Sequence, residues 1–214
     1  MYSIIRYSLL TLAIILIQLD QIENHRPDKS VTKTCLIQNT EYKDEYLYSC
    51  FKLDATDDFK RKVYTNPIET AYMRTFTQLK WKFEPVFFGG DDNKQDENNN
   101  NQTLYYYISN SQYNNEYLCS SSNHFDRFSY RRKVNLNKLT DTNKNDKRCM
   151  WRLDEQPHGD HLHQNKYMIW NAYYNEPIYA AMDLLSEAKS NRRNVYTWYK
   201  SPDSKQFIWN LICL

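Results

Sequence analysis

One pattern occurs three times along these 214 residues. Ile37-Gln38-Asn39-Thr40-Glu41-Tyr42-Lys43-Asp44-Glu45-Tyr46-Leu47 is answered by the segment from Ile108 to Leu118. It is answered again, one residue shorter, by the segment from Ile169 to Ile178. Downstream lie three basic segments, Lys60-Arg61-Lys62-Val63, Arg131-Arg132-Lys133-Val134 and Arg192-Arg193-Asn194-Val195. The step from the motif Asn (Asn39, Asn110, Asn171) to the Val (Val63, Val134, Val195) is 24 residues in every copy. Each copy closes on Trp81, Trp151 or Trp209, with Phe83, Leu153 or Leu211 two residues on. Self-similarity at a fixed period constrains a fold more than any single motif does.

Each repeat divides into four short runs rich in Tyr, Val, Ile and Trp, separated by Asn, Asp and Ser, which is the strand-and-turn signature. The first runs are Thr34–Gln38, Leu104–Ser109 and Lys166–Trp170; the second are Tyr46–Cys50, Tyr117–Ser120 and Ile178–Met182. The third is the basic segment as far as the residue after Val, and the fourth carries the Trp. Only Ala180–Lys189 has a trace of helical spacing, and it is expected to be a loop. Nineteen Tyr against three Gly also favour pleated surface. One such unit cannot bury its own apolar face, whereas three about an axis bury it together and remove exposed edges. The expectation is all-β: a β-trefoil of three four-stranded repeats, a closed barrel with a hairpin cap. Its repeats span about 33–87, 104–157 and 166–214 of a single domain, 25–214. Its core is Ile37, Leu47, Val63, Trp81, Phe83, Ile108, Leu118, Val134, Trp151, Leu153, Ile169, Ile178, Val195, Trp209 and Leu211.

Residues 1–24 read as a signal peptide. Arg6 precedes the apolar run Leu9–Ile17, which is too short for a membrane span. An extracellular location follows, and with it disulfides become admissible. Five cysteines, Cys35, Cys50, Cys119, Cys149 and Cys213, leave one unmatched, and none has CxxC spacing. Residues 89–103 are a flexible Asn-rich insertion, in which Asn101-Gln102-Thr103 is a glycosylation sequon.

The recurring polar residues fit the fold first. The motif Asn sits where the first strand turns and can bond its own backbone or take a left-handed conformation. Glu45, Glu116 and Glu176 open second strands, and the basic pair lies on the third, its expected hairpin partner, so a cross-strand ion pair on the solvated surface of each hairpin is expected. Neighbouring side chains on a strand point to opposite faces, so one cation of each pair is left over. Arg61, Lys62, Arg131, Arg132, Arg192 and Arg193 are therefore candidate ligand-binding residues. The member of each pair that does not meet Glu would join a cationic ring suited to a sulfated glycan, a small anionic ligand or an acidic protein surface.

Other chemistry has little support. A net charge of +2 gives no whole-molecule attraction to nucleic acid. His158, Asp160, His161 and His163 share a loop without a fixed second contributor, so no metal is assigned. No nucleophile elbow, HExxH, phosphate loop or Cys–His signature is present, so no enzyme activity and no cofactor are expected.

Two trefoil groups offer tests. Ricin-type lectins carry Gln-x-Trp on the fourth strand, where this chain has Leu79, Cys149 or Phe207 two residues before the Trp. Kunitz-type soybean inhibitors share no motif with it. The segments Tyr174-Asn175-Glu176-Pro177-Ile178-Tyr179-Ala180-Ala181 and Arg192-Arg193-Asn194-Val195-Tyr196-Thr197-Trp198, with Trp209, resemble the mosquito salivary cysteine- and tryptophan-rich family. That resemblance implies a secreted trefoil binder without catalysis. In a trefoil the first and last strands adjoin, so Cys35–Cys213 is the expected disulfide there, with Cys119–Cys149 inside repeat two and Cys50 left over. The expected function is a secreted non-catalytic binding protein, a salivary or haemolymph factor. The alternatives are a glycan-binding lectin using Trp170 or Trp198, or a trefoil-type proteinase inhibitor presenting Lys200.

Overall fold

The computed structural model describes residues 31–54, 60–67, 77–88, 103–124, 130–140, 142–157, 165–185, 191–199 and 204–214. The signal segment, Asn101, the His158–His163 cluster and Lys200 lie outside these residues.

The first repeat supplies β1 (Lys33–Asn39), β2 (Glu45–Asp54), β3 (Lys60–Pro67) and β4 (Lys80–Phe88). The second supplies β5 (Thr103–Asn110), β6 (Glu116–His124), β7 (Arg132–Lys138) and β8 (Met150–Glu155). The third supplies β9 (Lys166–Asn171), β10 (Ile178–Leu184), β11 (Arg193–Thr197) and β12 (Ile208–Cys213). Single 3₁₀ turns at Thr77–Leu79, Lys147–Cys149 and Lys205–Phe207 lead into the fourth strands.

Six strands pair antiparallel in a ring: β1 with β4, β4 with β5, β5 with β8, β8 with β9, β9 with β12, and β12 with β1. The third strands of the repeats pair in a triangle, β3 with β7, β7 with β11, and β11 with β3. Each is also the hairpin partner of its own second strand. A ring leaves no open edge, which removes the unpaired row of backbone groups that makes isolated sheets prone to association.

The main core gathers every expected residue except Leu153, which packs half-buried at its rim, and adds Cys35, Leu136 and Ala180. The three closing tryptophans, Trp81, Trp151 and Trp209, are fully buried. A buried indole N–H needs an acceptor, and each finds the same one. Trp81 Nε1 donates to Leu47 O (3.0 Å), Trp151 to Leu118 O (2.8 Å) and Trp209 to Ile178 O (3.1 Å). The apolar residue that follows each motif Glu by two thus has its carbonyl tied to the closing Trp of its own repeat.

Three expectations change. The stretch expected to loop from Ala180 continues as strand to Leu184, because β11 supplies a hydrogen-bonding partner that outweighs the weak helical spacing. The third strands do not stop after the Val: β3 runs to Pro67 and β7 to Lys138, extended by pairing with the start of their own second strands, Pro67 opposite Glu45 and Lys138 opposite Glu116. Thr103, assigned to the insertion, begins β5 opposite Phe88, since the β4–β5 ladder continues to the end of both strands.

Both expected disulfides form. Cys35–Cys213 joins register partners on β1 and β12, and Cys119–Cys149 lies within repeat two. Cys119 occupies the place of Tyr179, and Cys149 that of Phe207, in repeat three. There the two rings stack at 5.3 Å. The covalent link in one repeat thus stands where an aromatic contact holds another. Cys50 is a half-buried free thiol.

Candidate functional site

The repeated charged residues meet across repeats. Arg61 on β3 pairs with Glu116 of the second repeat (2.7 Å), and Arg132 on β7 with Glu176 of the third (3.2 Å). Arg193 on β11 returns to Glu45 of the first (2.8 Å). All six side chains are at most 15% exposed. Each guanidinium also lies over a tyrosine that follows a motif Asn by three residues. Arg61 sits 3.6 Å from the centroid of Tyr113, Arg132 3.8 Å from Tyr174 and Arg193 3.7 Å from Tyr42. Such stacking leaves the in-plane N–H groups free for carboxylate and carbonyl.

Those carbonyls come from a bulge in each hairpin. The register slips between Ser49 and Leu53, between Ser120 and His124, and between Ala180 and Leu184. The exposed carbonyls of Phe51, Ser122 and Met182 accept from Arg61, Arg132 and Arg193. Thr65 and Thr197 donate to the remaining oxygens of Glu45 and Glu176. The expectation of a solvated ion pair within each hairpin is therefore corrected. The third strands adjoin one another, so each Arg reaches the next repeat's Glu, and the pairs are buried.

The other candidate cations do not share one place in the repeat, because Lys62 follows its paired Arg whereas Arg131 and Arg192 precede theirs. Arg131 donates to Tyr179 Oη (3.0 Å) and lies 5.0 Å from the Tyr196 centroid, while Arg192 lies 5.5 Å from that of Tyr48. Lys62 is half-buried on β3.

The motif asparagines are buried turn-makers. Asn39 Oδ1 accepts from the amides of Glu41 and Tyr42, and its Nδ2 donates to Gln206 O. Asn171 repeats the arrangement with Tyr173, Tyr174 and Arg148 O. Asn110 keeps it with Gln112 and Gln78 O. The left-handed conformation falls elsewhere, on Asn115 (φ 60°) and Asn175 (φ 52°) just before the Glu.

A cleft of about 390 Å³ opens where repeats one and two meet, lined by Glu84, Tyr107, Asn115, Tyr117, Leu139, Thr140 and Lys144. Glu84 and Tyr107 are register partners on β4 and β5, so their side chains share a face. The Tyr107 and Tyr117 rings meet edge to face at 5.7 Å. Tyr107 Oη donates to Lys144 O, and Ser109 Oγ donates to Glu84 at 3.1 Å. Burial raises the pKa of both phenols, reinforced by Asp146 for Tyr107 and by Glu84 for Tyr117, so both stay protonated at neutral pH. The repeat pattern did not point to this cleft. Tyr107 departs from the repeat, with Leu36 and Met168 in its place, whereas Tyr117 is matched by Tyr46 in the first repeat and replaced by Pro177 in the third.

Trp198, one expected lectin aromatic, is half-buried and stacks on Phe207 and Tyr179. Trp170 lies under Arg152, 5.6 Å from centroid to guanidinium. Among the described residues the well-exposed Phe and Tyr rings are Phe51, Phe87, Tyr130, Tyr173 and Tyr199. Tyr130, at φ 54°, stands edge-on to His124 and to Tyr199. Among the described residues no grouping of His, Cys, Asp and Glu fits a metal ion, and no helix is long and apolar enough to cross a membrane.

No protein-family model and no curated protein matches the chain. Solved structures do. An SDF2-like protein from Arabidopsis thaliana superposes with a TM-score of 0.59 at 12% identity, over 85% of this chain and 94% of its own. A Culex salivary protein of the cysteine and tryptophan-rich family gives 0.53 at 15%, over 86% and 94%. A Polyporus squamosus lectin, bound to a sialylated epitope, gives 0.51 at 11%, over 84% of this chain and 48% of its own. At these identities the likeness shows a shared all-β fold.

Proposed function

We propose that this chain is a secreted, non-catalytic binding protein built as a β-trefoil, in which the six-strand ring is the barrel and the three hairpins are its cap. Two disulfides support an oxidising, extracellular setting. Residues 1–24 serve as the signal peptide, Asn101 carries a glycan, and 25–214 act as one domain. The cleft carries the binding reading, because convergent polar groups beside aromatic walls are what a small-ligand site requires. The salivary protein and the lectin among the structural neighbours fit a binding role for this architecture.

The test is an array of neutral and sulfated glycans read across a salt series. Retention on either class, with no turnover of the bound glycan, supports the reading. Salt-sensitive retention on sulfated glycans, lost when Lys62, Arg131 and Arg192 are replaced, would assign binding to the cationic surface. An array that retains nothing, together with no captured partner from serum or haemolymph, overturns it. Inhibition of a trypsin-like proteinase that disappears in Lys200→Ala would favour the inhibitor alternative.

A further inference from the structure

We infer that the cleft between repeats one and two binds a neutral pyranose, with Glu84 as the principal hydrogen-bond acceptor for its hydroxyls. This rests on the reading of the chain as a binding protein and names the ligand class of that site.

The inference begins with what Glu84 lacks. In the next repeat the corresponding carboxylate, Asp154, is held by Arg152 at 2.7 Å. Among the described residues Glu84 accepts only the Ser109 hydroxyl and no ion pair engages it. A half-buried carboxylate in a concave site is a strong acceptor awaiting a donor.

The rest of the lining selects among ligands. Lys144 opposes Glu84 in sign, so the wall favours neither a cation nor an anion. Asn115 offers both an amide donor and a carbonyl acceptor, and Thr140 a hydroxyl that does either. The protonated phenol of Tyr117 keeps its donor capacity, that of Tyr107 being spent on Lys144 O, and both rings present apolar surface. Closely spaced donors and acceptors beside aromatic surface match a sugar ring, whose hydroxyls do both and whose C–H faces are apolar. The volume lies at the small end of ligand sites, roughly 300–1,000 Å³.

The experiment is an NMR titration of the mature protein with methyl β-galactopyranoside, methyl α-mannopyranoside and methyl β-N-acetylglucosaminide. At least one glycoside is expected to shift the amides of Asn115, Tyr117 and Thr140 saturably, with a Kd that changes less than twofold between low and high salt. Glu84→Gln, which keeps the shape and the Ser109 contact, is expected to weaken that binding at least tenfold without lowering the melting temperature. Tyr117→Phe gives a second variant if Glu84→Gln misfolds. Shifts confined to other residues, an unchanged Kd in both variants, or no shift with any glycoside overturns the assignment. Glycan retention on the array with these amides unmoved would remove the cleft and leave the wider reading standing. Loss of both would remove each.

Discussion

Arg193, on the strand before last, donates from Nε to Glu45 Oε1 at 2.8 Å, joining residues 148 positions apart. It is the third of three equivalent bonds and the one that turns a row of pairs into a circuit, since the first repeat's Glu has no earlier repeat to supply its Arg. Burial of both partners makes the pair strong evidence of a fixed arrangement and weaker evidence of net stability, because desolvation offsets much of the attraction.

Removing one partner exposes that desolvation cost. Arg193→Ala leaves Glu45 buried with Thr65 alone, and is expected to lower unfolding free energy by about 3 kcal/mol. Urea unfolding measures it. A loss below about 1 kcal/mol would mean that the pair behaves as a solvated surface pair. Replacing both, as Arg193→Met with Glu45→Leu, is expected to cost less than Arg193→Ala.

The two disulfides should differ in worth. Chain entropy gives about 5 kcal/mol for a loop closed across 178 residues and about 3.6 kcal/mol for one closed across 30. Replacing Cys35 and Cys213 by Ser should therefore lower the urea midpoint more than replacing Cys119 and Cys149. The reverse order would show that local packing around Cys119 outweighs the constraint on the unfolded chain.

Asn171 makes three hydrogen bonds from a buried side chain, two as acceptor and one as donor. Asn171→Asp keeps the shape and the acceptor but sets a carboxylate oxygen against Arg148 O. A loss of about 2–3 kcal/mol is expected, seen as a lower thermal midpoint. Full stability would show that the donor bond contributes nothing.

Asp146 links stability to pH. Burial alone would raise its carboxyl, but the side-chain and backbone hydrogen bonds from Arg148 outweigh that and hold it below 3.8. A depressed folded value contributes stability that is present above the unfolded pKa. That contribution is lost as pH falls through the folded one. Asp146→Asn should therefore flatten the fall in stability below roughly pH 4, and leave the profile between neutral and mildly acid pH unchanged. Urea midpoints across pH 2–7 in both proteins check it, and parallel curves would refute the link.

Much of the fold was legible because apolar residues recur at one spacing, and spacing is what a core responds to. Ile37, Ile108 and Ile169 have the same neighbours because they have the same place in the repeat. The partners of the charged residues were not legible in the same way. Glu45 and Arg61 lie in one repeat, and only the meeting of β3, β7 and β11 sends each Arg to a different Glu. The hairpin bulges were hidden too, since a register slip carries no sequence mark beyond two extra residues on one strand. The cleft was missed for a different reason. Tyr107 departs from the repeat, whereas Glu84 and Tyr117 share a carboxylate and a phenol with Asp154 and Tyr46 and are set apart only by what surrounds them.

Cys35 and Cys213 lie 3.9 Å apart at Cα, on strands already hydrogen-bonded to each other. Chain ends ordinarily fray first, and local unfolding spreads inward from them. Here both ends of the fold are riveted together, so the backbone from β1 to β12 behaves as a circle with a seam. Opening must begin elsewhere, at hairpin tips or turns, and the amides of the two outermost strands should be among the slowest to exchange with solvent while the seam is oxidised.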